Sequence, residues 1–266
     1  MDDSYQLREL CLRTFKGGMR GHLPSALSLV DILNVLYSDI LNVDCKEPLS
    51  PVRDRLVLSK GHGCIALYSV LALKNFFPKQ VLDDFCKFDS VIGGHPERQS
   101  IPGVEASTGS LGHGLAFGAG IAYSTRISGL QFNVWVIIGD GELNEGSIWE
   151  SAMAASHHRL SNLRVVVDSN EMQASGETND VWNLGNLAEK WESFGFETHV
   201  VNGHDLKDLR EQFSRVSTSG KPICFIAKTV KGHGVKFLEN DAKWHHKSAV
   251  TDIEILALEN GLSDAK

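Results

Sequence analysis

The sequence predicts an α/β fold, a parallel sheet with helices on both faces. Apolar runs rich in β-branched and aromatic residues recur at 55–59, 134–138, 163–167, 197–201 and 223–228. Stretches with apolar residues at helical spacing separate them, and glycine-rich turns follow several of the apolar runs. The run Val134-Trp135-Val136-Ile137-Ile138 carries no charge and reads as a strand buried on both faces, as in a parallel sheet.

Taken in order, 5–15 alternates Leu and charged residues as a helix that Gly17-Gly18 should stop. Residues 26–41 read as one long amphipathic helix, with Leu29, Leu33, Leu36 and Ile40 on one face and Ser25 as its cap. A polar loop with Pro48 and Pro51 leads to the strand at 55–59, then Lys60-Gly61-His62-Gly63 and a helix over 64–75. Pro78 should open a helix reaching Lys87. Residues 90–109 have no periodicity, and a long irregular segment inside a compact domain is usually functional. A helix of small residues over 116–123 precedes the 134–138 strand, and a helical pattern at 147–155 follows it. Beyond the 163–167 strand, a helix should begin at Leu184-Gly185 and include Trp191 and Phe194. After the strand at 197–201, Asn202-Gly203-His204-Asp205 should cap a helix from Leu206, and a short helix with Ile253, Leu256 and Leu258 should follow the last strand. No repeat, low-complexity stretch or charge run divides the chain, so a single domain over 1–266 is expected, with 251–266 as a short tail.

Composition narrows the function classes. A chain of 266 residues with 42% hydrophobic and 22% charged content fits a soluble globular protein. No apolar run approaches the ~20 residues that span a bilayer, and the acidic Met1-Asp2-Asp3-Ser4 start does not read as a signal peptide. The net charge of −7, without a Lys/Arg cluster, argues against nucleic acid as partner. The 5 cysteines lack Cys-x-x-Cys spacing, so reduced thiols in the cytoplasm are expected.

The chemistry concentrates at Gly139-Asp140-Gly141 and Asp168-Ser169-Asn170. A carboxylate and an amide oxygen at neighbouring strand tips sit where open α/β sheets hold ligands, and they suit Mg²⁺ shared with a phosphate. The same residues also suit two plain βα turns, with Asp140 as a helix N-cap.

Gly139-Asp140-Gly141 closed by Asn170 resembles the thiamine diphosphate motif. Over residues 5–250 the chain resembles the transketolase family. Gly21-His22-Leu23-Pro24-Ser25 stands for Gly-His-Pro-Gly-x-x-x-Ser, with Leu23-Pro24 replacing Pro-Gly. Ser59-Lys60-Gly61-His62 and Gly94-His95-Pro96-Glu97 match directly. Thr108-Gly109-Ser110-Leu111-Gly112-His113-Gly114 resembles Thr-Gly-Pro-Leu-Gly-Gln-Gly, with Ser110 for Pro and His113 for Gln. Thr229-Val230-Lys231-Gly232-His233-Gly234 and Trp244-His245-His246 resemble Thr-x-Lys-Gly-x-Gly and Trp-His-Gly, with His246 for Gly.

The resemblance implies a thiamine diphosphate-binding domain of the diphosphate-holding type. Asp140, Asn170 and the main-chain carbonyl of Met172 would hold Mg²⁺, an oxygen set that also takes Ca²⁺ or Mn²⁺. His62, Gly109, Ser110, Leu111, Gly139, Gly141 and Glu142 would line the cofactor. His22, His62, His95 and His245 would surround the reacting carbonyl, where imidazole suits proton transfer near neutrality. Glu145 would link paired sites across an interface, or serve simply as an acidic first-turn residue favoured by the helix dipole. His157, His158 and His199 lack a glycine-rich setting and, with His204 in the turn before a helix, read as surface or packing residues. Full transketolases continue into a pyrimidine-binding part with no counterpart here. The resemblance therefore implies the N-terminal subunit of a split transketolase, acting on sugars or sugar phosphates and completed by a C-terminal subunit in an α₂β₂ complex. The α subunit of a 2-oxo acid dehydrogenase and a non-catalytic regulatory paralogue stand as alternatives.

Overall fold

The computed structural model describes residues 3–263; Met1 and Asp2 of the acidic start and residues 264–266 of the expected tail lie outside it. Strands β1 (Arg55–Leu58), β2 (Val134–Gly139), β3 (Leu163–Ser169), β4 (Glu197–Asn202) and β5 (Ile223–Lys228) stand where the apolar runs place them. All pair in parallel, in the order β1-β2-β3-β5-β4. Alternate residues feed two cores. Leu56, Leu58, Trp135, Ile137, Val166 and Phe225 pack on one face. Val57, Val136, Ile138, Val165, Val167 and Ile226 pack on the other. Burial on both sides is why β1, β2, β3 and β5 read as continuous apolar runs without alternation, whereas the edge strand β4 leaves Val200 exposed. All the strands share one direction, so their carboxyl ends lie at one edge. There the register sets Gly139 beside Asp168 and Asp168 beside Ala227.

Helix α1 (Ser4–Gly18) runs through Gly17-Gly18 and ends at Met19, in the left-handed conformation with φ of 50°. The two glycines are packing residues, correcting their reading as a stop. A Cβ on Gly17 would lie 2.7 Å from the Leu82 carbonyl oxygen, so only glycine lets α1 approach the 3₁₀ turn Lys79–Asp84. That turn stands where a helix to Lys87 was expected.

The expected helix over 26–41 is broken into α2 (Leu23–Leu27), α3 (Val30–Val35) and a π-helical turn, Leu36–Ile40. Ser25 lies inside α2 and does not cap it. At the break Ser28 donates through its hydroxyl to Asp168, at 2.7 Å. Every residue of α3 is buried, including Asp31 and Asn34, so the segment has no solvent face for a simple amphipathic pattern to report. Helix α4 (Cys64–Leu73) follows a 3₁₀ turn at Gly61–Gly63.

On the opposite face, α5 (Gly114–Ser128) extends past the expected 116–123 at both ends and packs beside α6 (Gly146–His157). After the short α7 (Thr178–Trp182), α8 (Leu187–Ser193) begins later than Leu184-Gly185. Asn186 caps it by accepting from the Ala188 and Glu189 amides, and Gly185 turns the chain into it with φ of +65°. Asp205 caps α9 (Leu206–Phe213) as the turn sequence requires. Helix α10 (Asp252–Ser263) fills most of the expected tail and docks by Ile255, Leu258 and Leu262, while Ile253 and Leu256 face outward. Ion pairs Lys16–Glu259 and Lys247–Glu254 fasten it. Among the described residues the cysteines are unpaired, and no helix is long and apolar enough to cross a membrane.

Candidate active site

The strand tips of β1, β2, β3 and β5 meet around Asp168, which is fully buried. Its Oδ2 accepts from Ser28, from the Lys60 ammonium and from the Asn170 amide; its Oδ1 accepts from Thr229. Burial opposes ionisation, yet Lys60 and these donors hold the carboxyl below the usual range. Asp140 has the opposite balance. Burial first, and then the Asp168 charge, push it up to about 6. Its Oδ1 accepts from the Gly141 amide at 2.8 Å and its Oδ2 from the Glu171 amide at 2.6 Å. Asp140 thereby also caps the 3₁₀ turn Gly141–Asn144.

Asn170 accepts from the Met172 amide at 3.1 Å, and the Met172 carbonyl accepts from the Lys231 ammonium at 3.3 Å. Asp140 and the turn over 170–172 are thus tied together and offer only oxygens. Each Asp140 oxygen, with a single backbone donor, keeps a lone pair for a ligand. A buried acid whose pKa is raised in this way is one that a nearby cation would stabilise, and Mg²⁺ fits this oxygen set. Beside it the buried Gln173 Nε2 has no partner, and the Gln173 side chain leaves so little room that a Cβ on Gly141 would come within 2.9 Å of it.

Glu142 braces the site. Its Oε1 accepts from Ser59 and from the Gly112 amide, and its Oε2 from the Gly139 amide at 3.2 Å. Burial raises its pKa. This carboxylate ties β1, β2 and the 108–114 loop into one wall. Gly109, with φ of +146° that side chains rarely adopt, lies so close to the His95 ring that a Cβ would come within 3.0 Å of it. Leu111 is half-buried, while Ser110 and Glu145 are exposed. His113, which replaces the family's Gln, is exposed and turns its Nδ1 onto the Leu111 carbonyl at 3.0 Å.

The expected histidines come together. The His22 ring lies 5.4 Å from His62, 5.5 Å from His245 and 6.5 Å from His95, between centroids. His62 and His245 are 6.2 Å apart. Burial and then neighbouring positive charge lower these pKa values: His22 to about 3, His245 to about 4, His62 well below the ordinary value, and His95 less. The cluster is therefore a set of neutral imidazoles at pH 7. Lys231 donates to His245 Nδ1 at 2.6 Å, which leaves the ring proton on Nε2. Burial, then Lys60, lowers the Lys231 pKa to about 8.

Sequence reasoning left out Lys60, Lys231 and His246, whose ring lies 4.5 Å from His22. The signal for Lys60 was present, since it stands between a strand and a glycine turn. The remaining histidines behave as packing or surface groups. His157 and His158 are exposed, and His199 pairs with Glu197 at 3.3 Å. His204 donates to Asp31 at 2.8 Å and accepts from the Val230 amide at 2.8 Å. The group Asp31, His204 and His233 has metal-like proximity. However, Arg8 bonds the same Asp31 oxygen at 2.7 Å, which makes the group a structural network rather than a cation site.

Comparison with known proteins agrees with this geometry. The family described as transketolase, thiamine diphosphate binding domain, matches residues 4–263. The chain is 41% identical over 239 residues to an apulose-4-phosphate transketolase subunit of Actinobacillus succinogenes, covering 90% of this chain and 87% of that one. It is 36% identical over 243 residues to a 6-deoxy-6-sulfo-D-fructose transketolase subunit of Clostridium sp., covering 88% of each. Among solved structures, the transketolase of Campylobacter jejuni superposes with a TM-score of 0.89 at 32% identity. That match takes in 98% of this chain but only 42% of the other, so the chain spans less than half of that transketolase. With its tip carboxylate, its histidine cluster and a family match over nearly its whole length, the chain belongs to the transketolase family, as a thiamine diphosphate binding domain.

Proposed function

We propose that the chain is the N-terminal subunit of a split, Mg²⁺-dependent transketolase that moves a two-carbon ketol unit from a ketose to an aldose. The carrying observation is the ring of neutral imidazoles, His22, His62, His95 and His245, facing the same edge as Asp140 and Asn170. The relatives support a split enzyme, since the names of those it matches over most of their length call them transketolase subunits. They also favour a transketolase over a 2-oxo acid dehydrogenase or a non-catalytic paralogue.

Bound thiamine diphosphate supplies the carbon–carbon chemistry. In this reading Asp140, Asn170 and the Met172 carbonyl would hold Mg²⁺, whose charge would offset that of the diphosphate. Gly109, Ser110, Leu111, Gly139, Gly141, Glu142 and His62 form the wall of a single cofactor-binding domain. The cluster moves protons at the sugar hydroxyls, and its imidazoles, kept neutral by burial, offer acceptor nitrogens and N–H donors for that purpose. His245, with Nδ1 taken by Lys231, presents an Nε2 proton to a substrate oxygen. The substrates are ketoses and aldoses, phosphorylated in at least some relatives, as the name apulose-4-phosphate transketolase states. A C-terminal, pyrimidine-binding subunit completes the site in an α₂β₂ assembly, with Glu145 at the junction. The unpaired cysteines suit the cytoplasm.

The test is turnover by the chain reconstituted with its partner, on ketose donors with aldehyde acceptors, beside pyruvate and branched 2-oxo acids. Ketose activity is expected, and 2-oxo acid turnover alone would overturn the assignment. Asp140→Ala in the assembled complex should weaken thiamine diphosphate binding by at least ~10-fold, because it removes a metal ligand where even outer contacts are worth 10–100-fold. Titration calorimetry reads this directly, and unchanged affinity would remove Asp140 from the metal site.

A further inference from the structure

The family pattern has glycine after the tryptophan and histidine of the last motif, and this chain has His246. The substitution is not lost to solvent. Gly21 and Lys247 form an antiparallel bridge, with amide-to-carbonyl bonds of 2.9 Å and 3.0 Å in the two directions. The bridge sets the next residue of one segment beside the preceding residue of the other, so His22 and His246 lie side by side, 4.5 Å between centroids. Behind the bridge Lys247 is itself anchored. Its ammonium donates to Glu254 of α10 at 2.6 Å and lies 4.2 Å from the centre of the buried Trp244 ring. His246 is thus held by a fixed turn.

Exposure grades across the cluster. His62, His22 and His245 are half-buried, whereas His95 and His246 are exposed. The two exposed rings, 6.5 Å and 4.5 Å from His22, mark the mouth, and the others mark the interior. A substrate whose carbonyl reaches the interior must lay its remaining carbons across the mouth.

We propose that His246 is a substrate-contacting, specificity-determining residue that hydrogen-bonds hydroxyl groups of the ketose chain beyond the reacting carbonyl. An imidazole carries one donor and one acceptor when neutral, which matches hydroxyls that both give and take hydrogen bonds. Glycine at this place offers neither. Because the bridge and the Lys247–Glu254 pair hold the turn in advance, little ordering is left for the substrate to impose. The inference rests on the transketolase reading and adds to it a discrimination by chain length.

The experiment uses the reconstituted complex with ketose donors of four to seven carbons that carry the same terminal group. Loss of one hydrogen bond to substrate should raise KM about five- to tenfold for six- and seven-carbon donors in His246→Gly, with kcat within about twofold. For the four-carbon donor the KM rise should stay below about twofold. His246→Asn, which keeps a donor and an acceptor on a shorter stem, should recover part of the loss. Equal KM rises for every donor length, or none for any, would overturn the proposal. A wild-type complex that turns over no ketose would instead overturn the transketolase reading itself, so the two failures are separable.

Discussion

Lys60 and Asp168 form a buried ion pair, with side-chain exposures of 2% and 0%. Removing one member of such a pair strands the other charge, so Lys60→Met should destabilise the chain by about 3–5 kcal/mol, read from urea unfolding. A loss below about 1 kcal/mol would show that Ser28, Thr229 and Asn170 alone satisfy the carboxylate. His22 makes a second prediction, about pH. It stays neutral in the folded chain down to about 3, because of burial and then the charges of His246, His245, His95 and Lys231. In the unfolded chain it takes a proton near 6.5. Between those values the unfolded state binds more protons, so stability is complete above about pH 6.5 and falls as pH drops toward the folded pKa. His22→Asn should therefore lose less stability than wild type between pH 7.5 and 5, measured by the urea midpoint at each pH. Equal losses would place His22 in contact with water instead. His22, His62 and His95 were legible because each directly follows a glycine, with His22 before a helix start and His62 after a strand tip, and His245 because it follows Trp244 in the last motif. The burial of Lys60 and Lys231 was not, because lysine ordinarily belongs to the surface; the place of Lys60 between a strand and a glycine turn marks it as near the site, but only the assembled tips show that Asp168 draws its ammonium inside.

At the scale of elements, α5 separates two uses of glycine within one helix. A Cβ on Gly118 would come 2.3 Å from Val136 Cγ2, whereas one on Gly120 would meet nothing within 4 Å. Gly118→Ala should cost about 1–3 kcal/mol by overpacking the helix against β2. Gly120→Ala should instead add up to about 1 kcal/mol, because alanine loses less freedom in a helix. Thermal midpoints of the two variants in the isolated chain should move in opposite directions, and a shared direction would refute this packing of α5. The strands were legible because apolar, β-branched runs are what burial on both faces selects. The helix over 26–41 was misread for an equally physical reason. Its periodicity records which side chains are apolar, but the break is made by Ser28 reaching Asp168, 140 residues away in the chain. Likewise Gly17-Gly18 read as a stop because glycine disfavours helices, while the approach of the 79–84 turn that requires them is a tertiary fact.

For the whole molecule, the unfinished part is the outer face of α5 and α6. Ala116, Gly120, Tyr123 and Ile127 recur at helical spacing along the exposed side of α5, with Tyr123 40% and Ile127 79% exposed. Met153, 54% exposed, and Ala154 continue the surface on α6, and His158 packs on Tyr123 at 4.8 Å between ring centroids. Contiguous apolar surface of this kind marks an interaction site more often than a solvent face. It begins directly after the Gly112–Gly114 turn that Glu142 and Ser59 fix to the cofactor wall, so a partner seated there would reach the same edge as Asp140 and the histidines. The split-enzyme reading therefore places the C-terminal subunit on this face. Ile127→Glu and Ala154→Arg put charge where an apolar partner must pack but disturb no buried contact. Each should leave the stability of the isolated chain within about 0.5 kcal/mol, as surface substitutions generally do. Both should also abolish or sharply weaken assembly with the co-expressed partner, measured by mass in solution, and with it ketose turnover. Variants that assemble and turn over like wild type would move the partner to another face, while leaving the cofactor site of this chain as described.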